Sequence, residues 1–149
     1  PGQETRPGYW NNVHGIAVDA KTRRVFVNDR GNRRIQVFDE NGKYLYEWSI
    51  GVEPAQVYCL YMGADQALWT GDHGTSRLVK YDLNGNLQYS WGIFGDFPGA
   101  FWGQHQISVD QEGNVYVANV ANGRMEKFRP RPGANPAFLV GKPVYSAWK

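Results

Sequence analysis

Hydrophobic and polar residues alternate along this chain in short runs that recur at regular spacing. The apolar members are mostly Val, Ile, Phe, Tyr and Trp, and the period of two is typical of half-buried strands. Turn residues separate the runs, as in "DENGK" and "DLNGN", whose Asn-Gly pairs suit tight hairpins. The pattern predicts strands in residues 13–19, 24–29, 33–39, 43–49, 57–62, 67–72, 76–82, 86–92, 104–110, 114–119, 123–129 and 136–141.

The predicted strands belong to three copies of one unit. Residues 24–48 match residues 67–91 at a constant shift of 43 positions and without gaps. Residues 114–130 repeat the middle of the unit a third time. Each unit is predicted to form a four-stranded antiparallel meander. Because a meander this small cannot bury both of its faces alone, neighbouring units are expected to stack or to ring around an axis.

Three segments of these units carry a family resemblance: "HGIAVD", "VFVNDRGNRRIQVFDENGKYL" and "RLVKYDLNGNL". They are similar to NHL repeats, and the resemblance extends over residues 8–141. It implies an all-β fold, a β-propeller of four-stranded antiparallel blades. Since such propellers usually have six blades, the three blades present imply half of a six-bladed ring. The chain 1–149 is then a single propeller segment with blades at about 8–50, 51–93 and 99–141 and a C-terminal tail at 142–149.

Half a ring leaves two blade faces without a neighbour. Because each such face would expose apolar surface, it is expected to be covered by another blade. Two arrangements are open at this point. The remaining blades belong to a longer parent chain, or two copies of this chain close a six-bladed ring as a two-fold homodimer.

Composition is typical of a soluble globular protein, with 42% hydrophobic, 15% aromatic and 20% charged residues. The net charge of +2 is too small to require nucleic acid or an anionic membrane as partner. No apolar run approaches the roughly 18 residues of a membrane span. Since Cys59 is the single cysteine, no internal disulfide is expected. These features leave the cellular compartment open.

Basic doublets at Arg23-Arg24 and Arg33-Arg34 raise a further class of function, because some NHL propellers bind single-stranded RNA. The doublets lie at predicted loops and are interspersed with acidic residues such as Asp39. A solvated rim of mixed charge is therefore the favoured interpretation, and nucleic acid is not an expected partner.

One polar pair recurs in every copy, at the two ends of the connection between the second and third strands. A guanidinium close to a carboxylate or amide would brace this loop through charge-assisted bonds. Because a catalytic site is needed once whereas a brace is needed in each unit, the pairs are interpreted as structural. The predicted braces join Asp29 to Arg34, Asp72 to Arg77 and Asn119 to Arg124.

The same connection in the second copy contains His73 directly after Asp72. This order would suit an acid/base pair. His73 aligns with Arg30 of the first copy, however, and is interpreted as an exposed loop residue.

His14 and His105 occupy equivalent positions at the start of the first strand of two units. In a propeller the first strand of each blade lines the central channel, so equivalent side chains are expected to point towards one axis. The gapless alignment places Val57 at this position in the unit between them. Two interpretations are open: the histidines are ligands of one divalent metal, such as zinc, or they only bind water at the channel mouth.

Propellers of the peptidyl-α-hydroxyglycine α-amidating lyase type are similar in this respect, since histidines at the starts of their inner strands hold a channel zinc. This resemblance implies that His14 and His105 are metal ligands and that the metal polarises a substrate. It also calls for a channel tyrosine and a channel arginine, which the sequence does not assign. The catalytic residues are therefore unknown.

Four aromatic residues come shortly before the two histidines and are predicted to wall a channel-mouth pocket. Packing between blades would explain the same residues equally well. They are Tyr9, Trp10, Phe101 and Trp102.

Two functions are therefore weighed. The leading interpretation is a binding scaffold for a small molecule, a peptide or a protein partner, without a bound cofactor. The alternative is a metal-dependent lyase of the amidating type, whose cofactor would be zinc or another divalent metal. No Ser/His/Asp order, phosphate-binding glycine loop or Cys/His zinc spacing is visible, so nucleophilic catalysis has no candidate residue.

Overall fold

The computed structural model describes residues 5–144, and strands dominate this part of the chain. The first sheet contains β1 (Val13–Asp19), β2 (Arg24–Asp29), β3 (Arg34–Phe38) and β4 (Tyr44–Ser49). The second contains β5 (Val57–Met62), β6 (Leu68–Asp72), β7 (Arg77–Tyr81) and β8 (Leu87–Trp91), and the third contains β9 (Gln104–Val109), β10 (Val115–Asn119) and β11 (Arg124–Phe128). Short 3-10 helices span Arg30–Asn32 and Pro136–Phe138.

Every sheet is an antiparallel meander in which neighbouring strands along the chain are hydrogen-bonded neighbours. The predicted all-β fold with propeller blades is confirmed. Each of these eleven strands begins and ends within one residue of its prediction. Within residues 5–144, no helix has the length and apolar character needed to cross a membrane.

The three sheets pack face to face and share two hydrophobic cores. The first core lies between the first two sheets, where Phe26 and Ile35 meet Leu68. The second lies between the last two sheets, where Trp69 and Phe101 are fully buried. Stacking therefore buries faces that no single meander could bury, and it places the inner strands β1, β5 and β9 side by side.

The predicted twelfth strand at 136–141 is wrong. A 3-10 helix begins this segment instead, and within residues 5–144 the third sheet has three strands. The physical reason is proline: Pro136, at the start of this segment, lacks the backbone N–H that a strand must donate to its ladder.

The segment that replaces this strand folds back onto the second sheet. The Tyr61 hydroxyl donates to the carbonyl oxygen of Gly141 at 2.8 Å, and Lys80 Nζ donates to that of Ala137 at 3.0 Å. Phe138 stacks on Tyr89 with ring centroids 4.6 Å apart. The predicted C-terminal tail, 142–149, lies outside the described residues from position 145 onwards.

Two glycines at equivalent positions allow the loop after each second strand to contact the segment that leads into the inner strand. The Gly31 N–H donates to the carbonyl oxygen of Asn11 at 2.7 Å. A Cβ placed at Gly74 would overlap the carbonyl oxygen of Pro54. In these two blades the close approach therefore requires the absence of a side chain at Gly31 and Gly74.

The Gly74→Ala substitution is expected to lower the free energy of unfolding by about 3 kcal/mol, because backbone must move to admit the methyl group. Gly99→Ala is the matched control, since Gly99 has open space around it and a φ of 88°. The control should lose only about 1 kcal/mol, from left-handed backbone strain. Urea denaturation of both variants measures the difference, and equal losses would contradict the close contact.

Candidate functional site

A β-bulge interrupts each inner strand at the same place, and the extra residue of each bulge faces one shared cleft. Bulges locally break strand pairing and re-aim a side chain. The register shifts fall between Val13 and Gly15 in β1, between Val57 and Cys59 in β5, and between Gln104 and Gln106 in β9. The three bulge residues are therefore His14, Tyr58 and His105.

Tyr58, and not Val57, is the residue of the second blade that is equivalent to the two histidines. The alignment by a constant shift was wrong here by one position. The turn after the inner strand explains the error: Val18 pairs with Val25 in the first blade, whereas Met62 pairs with Leu68 in the second, across a turn that is one residue shorter.

The two histidines meet over the Tyr58 ring. Their Nε2 atoms lie 3.3 Å apart. The Tyr58 ring centroid is 4.9 Å from that of His14 and 5.2 Å from that of His105. The cleft around them has a volume of about 280 Å³, and Leu60 and Gln106 also line it. Side chains at equivalent inner-strand positions therefore lie close together in this site, as expected.

Arg30 joins the cluster from the 3-10 turn that follows β2. One of its guanidinium nitrogens, Nη1, lies 3.4 Å from His14 Nε2, and its Cζ lies 4.5 Å above the Tyr58 ring. Partial burial lowers the pKa of His14 below its ordinary value, and the charges of Arg30 and His105 lower it further. The neutral imidazole is therefore favoured at His14.

His73 stacks on Tyr58, with ring centroids 4.7 Å apart. It is half-buried, and its Nδ1 atom is buried without a hydrogen-bond partner among the described residues. The interpretation of His73 as an exposed loop residue is therefore corrected. Arg30 and His73 both follow the repeated aspartate of their blades, and this shared position was the sequence signal for them.

The aromatic residues before His14 lie apart from the cleft. Trp10 packs on Phe38 with centroids 5.5 Å apart. Tyr9 is 47% exposed and has the guanidinium of Arg6 4.3 Å from its ring centroid.

The aromatic residues before His105 also have other neighbours. Phe101 is fully buried in the second core, 5.2 Å from Trp91 and 5.4 Å from Phe128 between ring centroids. Trp102 faces Phe94 at 5.4 Å. The structure therefore does not gather Tyr9, Trp10, Phe101 and Trp102 into one channel-mouth pocket.

Three residues that line the cleft have side chains of a kind that can bind a divalent metal: His14, His105 and Cys59, and burial raises the pKa of the Cys59 thiol to about 12, which disfavours the thiolate. Within residues 5–144, no group of three or more His, Cys, Asp or Glu side chains is arranged to hold a metal ion. His14 and His105 would thus supply two ligands, and further ligands would come from elsewhere.

Sequence similarity to characterised proteins covers a short part of the chain, whereas structural similarity covers most of it. No family model matches the chain. NHL repeat-containing protein 3 from Homo sapiens is 46% identical over 46 residues, which is 30% of this chain and 13% of that protein. Its Mus musculus counterpart is 47% identical over 45 residues, with the same coverage. The resemblance to NHL repeats is confirmed.

Solved β-propellers superpose on most of the described chain. The periplasmic gluconolactonase of Pseudomonas aeruginosa has a TM-score of 0.61 at 18% identity, covering 89% of this chain and 39% of its own. A luciferin-regenerating enzyme has a TM-score of 0.60 at 13% identity, covering 91% and 50%. Virginiamycin B lyase from Staphylococcus aureus has a TM-score of 0.58 at 14% identity, covering 79% and 41%.

These comparisons establish the fold. The chain is a β-propeller segment. The matched residues cover 13% of the length of the NHL-repeat proteins, and the chain covers half or less of each solved structure. Identities below 20% carry no function from those enzymes to this propeller segment.

The predicted brace in the first blade of the propeller segment joins two buried charges. Arg34 Nε donates to the Asp29 carboxylate at 2.7 Å, and the side chains are 6% and 0% exposed. Arg34 also contacts Glu47 at 3.0 Å.

The other two predicted braces have different partners. Arg77 is exposed and donates to Ser90 at 3.4 Å, while the Asp72 carboxylate accepts from the Thr75 hydroxyl at 2.7 Å. The third pair is likewise separate. Arg124 donates to the carbonyl oxygen of Phe97 at 3.0 Å, and Asn119 donates to that of Ala100 at 3.3 Å.

The feature that all three blades share is a side chain that holds the segment leading into the inner strand. Its oxygen accepts a backbone N–H of that segment in each blade. The bonds run from Asn11 to Asp29 at 2.7 Å, from Gln56 to Asp72 at 2.7 Å and from Trp102 to Asn119 at 3.4 Å. The repeated position therefore acts on the backbone that carries the bulge residues.

The basic doublets of the propeller segment have acidic partners nearby. Arg23 forms an ion pair with Glu40, and Arg33 forms one with Glu53. These pairs fit a rim of mixed charge.

Asp29→Ala is expected to lower the free energy of unfolding by about 3 kcal/mol, because it removes a partner from a buried arginine. Arg77→Ala should change it by no more than about 0.5 kcal/mol, since Arg77 is exposed. Urea denaturation of both variants tests the contrast. A loss at Arg77→Ala as large as that at Asp29→Ala would contradict the difference between the two blades.

Proposed function

We propose that this chain is a propeller scaffold that binds a small molecule or the end of a peptide in its channel-end cleft. The observation that supports this most directly is the convergence of His14, Tyr58 and His105 from three different blades on one cleft. A set of polar groups carried by rigid strands and aimed at one space is the arrangement that ligand sites use for orientation and specificity.

Size favours a small ligand. The volume of about 280 Å³ is close to the lower end of small-molecule pockets, which begin at about 300 Å³. A protein partner would therefore contact the rim and place one side chain or a chain terminus in the cleft. The lining offers imidazole and phenol groups, and the Arg30 guanidinium lies beside His14, so the occupant is expected to be polar.

The remaining blades of the ring would close the open side of the cleft. The matched relatives are much longer than this chain, which favours a longer parent chain as their source. A second copy closing the ring is the alternative, and it predicts a particle of about twice 16.9 kDa. Sedimentation of the purified chain decides between these sources: a dimer supports self-closure, and a monomer at all concentrations assigns the missing blades to a parent chain.

Binding at the cleft is tested by two-dimensional NMR with a library of small polar molecules and short peptides. Ligands are expected to shift backbone signals at the starts of β1, β5 and β9. Tyr58→Ala should weaken ligand binding about tenfold, because it removes a pocket-lining aromatic ring. Phe138→Ala is the control, because Phe138 lies away from the cleft, in a second groove that Tyr89 and Trp91 also line. Shifts confined to that groove would contradict the proposal.

A metal-dependent lyase of the amidating type is the second candidate, and one distance favours it. Two imidazole nitrogens bound to one tetrahedral zinc at about 2.0–2.1 Å lie about 3.3 Å apart. The Nε2 atoms of His14 and His105 are 3.3 Å apart. Tyr58 and Arg30 beside them are of the two residue types that the lyase resemblance calls for.

The donor set fits zinc in part. His14 and His105 would supply two ligands, while a third would come from outside the described residues, from water or from substrate. Arg30 opposes a bound cation because its guanidinium lies 3.4 Å from His14 Nε2. The scaffold is therefore the leading proposal.

Zinc analysis separates the two candidates. The lyase proposal expects about one zinc per chain in the purified protein and almost none in the His14→Ala/His105→Ala double variant. His73→Ala is the control that keeps both proposed ligands, so its zinc content should match the unmodified chain. Absence of zinc and of other divalent ions from the unmodified protein, or zinc retained by the double variant, would remove the lyase candidate.

A further inference from the structure

The positive charge of Arg30 lies beside the cleft, and no carboxylate is among the described residues that line the cleft. The guanidinium of Arg30 lies beside His14. In the part of the chain that the structure describes, no ion pair engages Arg30. Arg33, three residues further along the same loop, forms an ion pair with Glu53. The unpaired arginine is therefore the one that faces the site.

Tyr58 positions this guanidinium without using its hydrogen-bond donors. Arg30 Cζ lies 4.5 Å from the ring centroid, so the attraction is between the cation and the aromatic face. Of its nitrogens, Nη1 approaches His14 Nε2 at 3.4 Å, and the remaining N–H groups of the planar guanidinium stay available for another partner. A carboxylate or a phosphate is the partner that such a fork matches best.

The two imidazoles extend this set of donors. His14 Nε2 and His105 Nε2 are 3.3 Å apart, and Arg30 Nη1 is 3.4 Å from His14 Nε2. When both Nε2 atoms carry hydrogen they cannot bond to each other, and both are free to donate to one acceptor lying between them and the guanidinium. Three nitrogen donors then converge on a single anionic group.

We propose that the channel-end cleft selects ligands that carry a small anionic group, a carboxylate or a phosphate, and that Arg30 is the residue that holds it. This inference rests on the proposed binding function and adds the chemical class of the ligand. An anion at this position offsets the charge of Arg30, which in a partly desolvated cleft has no other neutralising partner.

Acetate and inorganic phosphate are the probes for this proposal. Each is titrated into the metal-free protein in chloride-free buffer, and the ring nitrogen signals of His14 and His105 are followed by NMR. The variants are Arg30→Gln, which removes the charge, and Arg30→Lys, which keeps the charge but not the planar fork. Arg33→Gln is the matched control because it removes the same charge from the same loop.

At least one probe is expected to shift the histidine signals saturably in the unmodified protein and in Arg33→Gln. Arg30→Gln should weaken binding about 10- to 100-fold, the range of a charge-assisted hydrogen bond, and Arg30→Lys should fall between. Tighter binding of phosphate identifies a phosphate-bearing ligand, and tighter binding of acetate identifies a carboxylate. Equal affinity in Arg30→Gln and the unmodified protein, or no saturable shift with either probe, would overturn the proposal.

Neutral compounds in the same assay separate this inference from the binding function itself. Neutral ligands that occupy the cleft equally well in the unmodified protein and in Arg30→Gln, while anions do not bind, would overturn the anionic selectivity and leave the scaffold standing. A cleft that binds neither neutral nor anionic compounds would contradict both.

Discussion

Each sheet of this protein is too small to bury both of its faces, and the fold depends on the stacking that resolves this. Phe26 and Leu68 lie in one core between sheets, and Trp69 and Phe101 lie in the next. Stacking in this manner sets the inner strands side by side. Positions that are far apart along the chain but equivalent within the repeat therefore become neighbours, and the polar cleft is a direct result of how apolar surface is buried.

Stability and site geometry share the same residues at the edge of the cleft. Asp29 holds the backbone that leads into β1 and pairs with the buried Arg34, and the next residue, Arg30, reaches His14. In the second blade Asp72 holds the backbone before β5, and the next residue is His73. A single repeated carboxylate thus fixes both the strand that carries a bulge residue and the loop that contacts it.

Local features of the sequence predicted most of the fold. Alternating burial and Asn-Gly turns located eleven strands, because both act over a few neighbouring residues. The prediction of a twelfth strand was wrong because Pro136 starts a 3-10 helix despite the apolar pattern. Within the site, convergence of His14 and His105 followed from the repeat. The role of Tyr58 could not be predicted from the repeat. The turn after β5 is one residue shorter than the turn after β1, so a gapless alignment places Val57 at this position instead. The contacts of Arg77 depend on tertiary neighbours, which no local pattern reports.

The segment that replaces the twelfth strand contacts residues that are synthesised much earlier than itself. Tyr61 is bonded to Gly141, 80 positions later, and Lys80 to Ala137, 57 positions later. The middle blade thus holds bonds whose second partners leave the ribosome only after the whole third blade has emerged. Docking of residues 137–141 therefore adds side-chain contacts to a sheet whose four strands come much earlier in the chain.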